Sequence, residues 1–328
     1  MSTVIYFDQN ALSDLRKRKR EDKEEFNSIY NVIVDRKLRV LYSYTHLDEI
    51  RNISVEKYRD EHIEMLQELK ARYIKPLNSG IDIRTAWTIW HAYIDNKAEN
   101  AIDGGAEAEI LLEKLNKKIS GLPVEESFFD IYKGLKNSIL RSAMEMEEIL
   151  LSMTHEELAF NGISANEVKA QILGLKKQAL KMAPLIIPEN EELGPKVFRN
   201  WLQSQGKCMS HVPSDEIIEE IGKLFIDASG RSIEQEQIYD ETDLSKVAKA
   251  YSLMNWAGYY PDDFTSLKKG KDRFKASEYD MNHVAHAIPC DYLVSSDVKF
   301  SKKAKACYSH MGVKTKVVTP VEFIENCL

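Results

Sequence analysis

Four acidic side chains stand where oxygen-ligand chemistry could be done: Asp8, Glu49, Asp280 and Asp297. Asp8 directly follows the apolar run Val4-Ile5-Tyr6-Phe7, and Asp297 follows the apolar stretch 291–295. Glu49 falls in the first turns of a helix that follows a second β-prone run, and Asp280 begins the helix leading into the third. Four carboxylates gathered without equal numbers of Arg or Lys repel one another, so either some hold protons or a divalent cation neutralises them. A metal is the simpler solution. Oxygen-only ligands suit Mg²⁺ or Mn²⁺, which keep several waters and take further ligands from substrate phosphate.

Such a gathering needs elements that end together. The spacing predicts strands over 4–7, 38–42, 291–295 and 313–318, each a short apolar, β-prone run. Helices are expected from about Ala11, after Ser43 or Thr45 as N-cap, over 279–288 and 300–310, and from Pro320 onward. Strands alternating with helices at this spacing imply parallel pairing, and a parallel sheet collects its site at the carboxyl ends of the strands. Between about 55 and 270 strand signals nearly vanish, while apolar residues recur at helical spacing, as in Ile63-Leu66-Leu69 and Ile139-Leu140-Met144. The ends therefore read α/β and the middle all-α.

In their order, these pieces resemble the PIN-domain nucleases. The family's strand ending in Asp-x-Asn is matched by Val4 to Asn10, and its Glu-bearing helix after a second strand by Tyr42 to Ile50. Its later motifs are matched by Asp280 to Ala287, by Leu293-Val294-Ser295-Ser296-Asp297, and by Val317-Val318-Thr319-Pro320. Gln9 stands where Thr is usual, and Lys299 where some members place another acid. The resemblance implies a three-layer α/β/α domain with a central parallel sheet, built from residues 1–55 and 275–328 and interrupted by an all-α insertion over 56–274.

It also implies metal-dependent hydrolysis of phosphodiester bonds, usually of RNA, in a toxin or defence setting. Asp8 and Asp297 would ligate Mg²⁺ or Mn²⁺, while Asp280 and Glu49 would bind a second ion, hold a coordinated water or orient the nucleophile. Ser295 and Asn10 would fix the carboxylates by hydrogen bonds. His283 and His286, three apart on the Asp280 helix, read mainly as packed, hydrogen-bonded side chains, with substrate contact as the alternative. Lys268, Lys269, Lys271 and Arg273 before the third motif, and Lys299, Lys302 and Lys303 after the fourth, would grip phosphates. The insertion would receive an inhibitor or activator, and the chain could pair with a second copy. The rival functions are a structure-specific DNA nuclease and a non-catalytic binding module.

Composition fits this reading. The 328 residues are 43% hydrophobic and 30% charged, which excludes disordered and collagen-like classes and predicts about two domains at roughly 150 residues each. The net charge of −7 argues against a uniformly basic polyanion binder. It conceals a split: residues 1–60 hold 12 Lys/Arg against 11 Asp/Glu and residues 265–328 hold 11 against 7, so the ends carry +5 and the middle −12. Four cysteines without CxxC spacing and no long apolar stretch point to a cytoplasmic protein that does not enter a membrane.

Overall fold

In a computed structural model the structure describes residues 3–327 except 19, 22, 76–79, 100–105, 120–121, 123, 153–165, 167–168, 171, 175, 178–194, 230–241 and 263–272. The first strand, β1 (Val4–Phe7), is buried along its whole length. Such a run, apolar on both faces, is what an interior strand of a parallel sheet requires. It pairs in parallel with β2 (Arg39–Tyr42) on one side and with β5 (Tyr292–Val294) on the other. β3 (Arg72–Ile74) extends the sheet beyond β2, β4 (Ile81–Asp82) closes that edge antiparallel to β3, and β6 (Lys316–Val318) lies outside β5. The order is β4-β3-β2-β1-β5-β6.

Alternate side chains of each strand enter opposite cores. Val4, Tyr6, Leu41, Leu293 and Val317 pack on one face, and Ile5, Phe7, Val40, Tyr42, Val294 and Val318 on the other. The second face is covered by α1 (Gln9–Lys17), α2 (Glu24–Asp35), α3 (Tyr44–Arg51), α4 (Glu56–Glu68) and α5 (Ala86–Glu99), together with the C-terminal helix (Pro320–Cys327). The chain is thus an α/β protein with a mostly parallel six-stranded sheet, an arrangement compatible with three α/β/α layers.

The chain divides into one unit of residues 1–99 and 198–328 and a second of 100–197. Strands β3 and β4 carry no sequence signal, because runs of three and two residues, half-exposed at an edge, give no readable alternation. Arg84, just before α5 begins at Ala86, is bound to Asp82 at 2.7 Å. In the second unit α6 (Ala106–Ile119) and α7 (Phe128–Ser152) pack closely: a Cβ at Gly134 would lie 3.1 Å from Leu111 Cδ1.

Later in the sequence come α8 (Pro195–Ser204), which enters the sheet unit at Phe198, and then α9 (Ile217–Ser229), α10 (Asp243–Ala257), α11 (Arg273–His286) and α12 (Val298–Met311); α13 is the C-terminal helix. Residues of α8 to α12 fill the first face of the sheet. Among the described residues no helix is long and apolar enough to cross a membrane.

Candidate active site

The sheet order reverses between β1 and β5, because the chain leaves β1 toward β2 and leaves β5 toward β6. A crevice opens at the carboxyl ends of strands at such a point. The register pairs Phe7 with Val294, so the next residues outward, Asp8 and Ser295, meet: the Ser295 hydroxyl donates to Asp8 Oδ2 at 2.5 Å. Asp8 also caps α1, its Oδ1 accepting the Ala11 N–H at 2.6 Å. Burial pushes its carboxyl up to about 6, against the pull of the Ser295 and Ala11 hydrogen bonds, with Glu49 and Asp297 adding to the rise. Asp297 caps α12 through Oδ1, which accepts the Phe300 N–H at 2.9 Å, and its own N–H donates to Ser295 Oγ at 3.0 Å. One serine thus ties the first acidic position to the fourth. Asn10 does not share in this: it is exposed on the first turn of α1, and the Ala11 N–H makes the contact expected of it.

Asp280 projects from α11 half-buried, with no hydrogen-bond partner among the described residues. Its carboxyl is held well above the usual range by burial first and then by Asp262, Asp8 and Asp297, while Lys303 opposes them. Asp262 is a fifth acid that the sequence does not single out, lying in a stretch that reads only as a loop. Its Oδ2 accepts from Asn255 Nδ2 at 3.0 Å, the Ser277 hydroxyl at 2.5 Å and Lys303 Nζ at 2.7 Å.

Lys303 corrects the expectation that it grips substrate. Its side chain is 0% exposed, donates also to Asn255 Oδ1 at 3.2 Å, and lies 4.1 Å from the centroid of the Tyr251 ring. The signal was in the sequence: Phe300, Lys303, Ala304 and Cys307 form an i, i+3, i+4, i+7 stripe, and all four are buried. Arg18 follows Ala11, Leu12 and Leu15 in the same way and is likewise buried, over the Tyr30 ring at 3.9 Å. Lys299 and Lys302 are exposed, and Lys299 reaches the Pro261 carbonyl at 3.4 Å. Lys268, Lys269 and Lys271, and the side chain of Arg273, lie outside the described residues.

Glu49 is held by the core. Its Oε2 lies 2.6 Å from His283 Nε2, His283 Nδ1 lies 2.8 Å from the Tyr6 hydroxyl, and that hydroxyl lies 2.7 Å from Ser43 Oγ. Burial and the neighbouring Asp48 push Glu49 up to about 8, while burial brings His283 down to about 3. Asp48 accepts from the hydroxyls of Tyr93 and Tyr279. His46 fixes the start of α3: its Nδ1 accepts the Ser43 N–H at 3.1 Å, which leaves the proton on Nε2 to bond the Phe7 carbonyl at 2.9 Å. Removing the central hydroxyl with Tyr6→Phe strands two buried polar groups, and chemical denaturation is expected to show a loss of about 1–3 kcal/mol.

His286 is 3% exposed, packs edge-on to Tyr44 at 4.9 Å, and has neither ring nitrogen hydrogen-bonded among the described residues. Burial brings its pKa down to about 4. The folded chain therefore binds fewer protons here than the unfolded one, and stability present above pH 6.5 is lost as pH falls toward 4. His286→Phe should gain on the wild type over that window, by up to about 3 kcal/mol at pH 4. An unchanged difference between pH 7 and pH 4 contradicts this.

Among the described residues no three His, Cys, Asp or Glu side chains stand ready to close on one metal ion. Asp262 takes its three donors on Oδ2 and Glu49 meets His283 through Oε2, while Asp280 and Asp297 Oδ2 have no donor among the described residues. Mg²⁺ asks for little more, since it takes one or two carboxylates and keeps its waters. The all-oxygen donor set suits such a hydrated ion. The chain matches no known protein-family model, no characterised protein and no solved structure.

Proposed function

We propose that the chain is a PIN-like, metal-dependent endoribonuclease whose acidic site uses Asp8, Asp280 and Asp297. The observation that carries this reading is the approach of these three acids, from separate parts of the sequence, near the switch point of a parallel sheet, where after burial Asp8 and Asp297 add to the rise of the Asp280 carboxyl and Asp297 adds to that of Asp8. Helix capping accounts for one oxygen each of Asp8 and Asp297 but gives Asp280 nothing to do. Mg²⁺ or Mn²⁺ would be held by Asp280 and Asp297 with Asp8 beside them, and when bound supplies Lewis acidity for attack of water on phosphorus. Ser295 orients Asp8, and the exposed Lys299 and Lys302 next to Asp297 are suited to backbone phosphates.

Because a carboxyl must lose its proton to bind a metal and Asp8 sits at about 6, Mn²⁺ affinity should fall as pH drops below 6, by about tenfold per unit for each proton displaced. Calorimetric titration at pH 7 and pH 5 reads this directly. The function itself is tested with labelled single-stranded RNA, structured RNA and DNA in Mn²⁺, Mg²⁺ or EDTA. Metal-dependent cleavage of RNA supports the proposal. Cleavage of branched DNA alone favours the structure-specific DNA nuclease, and binding without cleavage favours the non-catalytic module.

A further inference from the structure

We propose that the cleft between α3, α4 and α5 takes one unpaired nucleotide of a single-stranded RNA whose chain runs on to the acidic site. The inference rests on the nuclease reading above for the identity of the strand, and the cleft itself needs no metal. The cleft encloses about 410 Å³ and is lined by Arg51, Glu56, Arg59, Asp60, Trp90 and Ile94. Sites for small ligands run from roughly 300 to 1,000 Å³. Trp90 is buried and Ile94 half-buried, which makes one part of the lining apolar, while Arg51 and Glu56 are exposed and Arg59 and Asp60 half-buried. Although two carboxylates line the same space, neither arginine forms an ion pair among the described residues.

A nucleotide offers a partner to each kind of lining group. Its phosphate accepts paired N–H donors from a guanidinium, and its base lies against apolar and aromatic side chains. A carboxylate accepts from the exocyclic amino group of cytosine. In an A-form duplex that edge faces a groove too deep and narrow for side chains, so the occupant is single-stranded. Fixed contacts join the cleft to the acidic site. Asp48, Arg51 and the C-capping Asn52 stand at i, i+3 and i+4 at the end of α3. Asp48 accepts from the hydroxyl of Tyr93, whose ring stacks on Trp90 at 6.0 Å, and from that of Tyr279, the neighbour of Asp280 on α11. The Tyr279 hydroxyl in turn accepts from Asn52 Nδ2 at 2.9 Å. A strand leaving Asp280 therefore meets Tyr279, Asn52 and Arg51 on its way to the cleft.

Fluorescence anisotropy tests this with labelled oligo(C), oligo(U) and double-stranded RNA on the full-length protein in EDTA, over a range of salt and with CMP as competitor. The wild type is expected to prefer oligo(C) to oligo(U) by about fivefold or more and to bind the duplex and CMP more weakly than either. Arg51→Ala and Arg59→Ala are expected to weaken binding of both oligonucleotides alike, each lowering the salt slope by about 1. Glu56→Gln/Asp60→Asn is expected to erase the preference for cytosine. Arginine variants with unchanged affinity and slope overturn the inference, as does a duplex or CMP bound as tightly as oligo(C). If Arg59→Ala, which also loses its contact to the Ile53 carbonyl, melts early, the exposed Arg51 decides. Cleavage of the same RNAs in Mn²⁺ is scored separately. A wild type that cleaves while its arginine variants bind normally loses the cleft and keeps the nuclease reading; arginine-dependent binding without cleavage keeps the cleft and overturns that reading.

Discussion

Asp280→Asn is expected to lower RNA cleavage by at least about 10²–10³-fold, the scale on which single electrostatic groups at a reacting centre act, while leaving the protein as stable as the wild type or more so. The two halves of the expectation have one cause. Asp280 has no hydrogen bond to lose among the described residues, and its carboxyl is raised by burial and by Asp262, Asp8 and Asp297. A neutral amide of the same shape relieves that repulsion and removes the charge a cation needs. Asp8→Asn should match the loss of activity for a different reason. Asparagine serves as an N-cap about as well as aspartate, so the Ala11 contact that starts α1 survives. Turnover assays paired with thermal melts separate these cases: a variant that loses activity only in proportion to lost folded protein would argue for a structural acid.

Lys303→Met should have the second large effect, on stability. Removing one partner of a buried pair leaves the other uncompensated, at a cost on the order of 3–5 kcal/mol when both are deeply buried. Asp262 keeps 19% of its side-chain exposure, so a figure near the lower end, about 3 kcal/mol, is expected. The double variant Lys303→Met/Asp262→Asn removes the stranded charge and should recover most of the loss. Denaturant midpoints give the answer. If the double variant is no more stable than the single, the lysine matters through packing on Tyr251 and not through its charge.

How far the sequence reveals this arrangement depends on the range over which each residue's environment is set. The strand at 4–7 is legible because a buried interior strand is apolar throughout, those at 39–42, 292–294 and 316–318 because each ends in a short apolar run, and the acids near their ends because sheet ends collect sites. Ser295 as the tie between Asp8 and Asp297 follows from register once β1 is placed beside β5. Asp262 is not legible: nothing local distinguishes an aspartate in a Gly/Pro-rich turn from one that caps a buried lysine. Lys303 was legible only against its company, since it looks like Lys302 and Lys305 unless the apolar stripe through Phe300, Ala304 and Cys307 is followed. The coupling of Glu49 through His283 and Tyr6 to Ser43 spans 234 residues between its first two members and needs the fold to be seen.

The central claim, that Asp8, Asp280 and Asp297 form a metal centre, is tested most directly by anomalous diffraction from crystals of the protein soaked in Mn²⁺. The account expects a manganese peak within direct or one-water reach of the Asp280 and Asp297 carboxylates, beside Asp8. A saturating soak with no peak between these residues contradicts it.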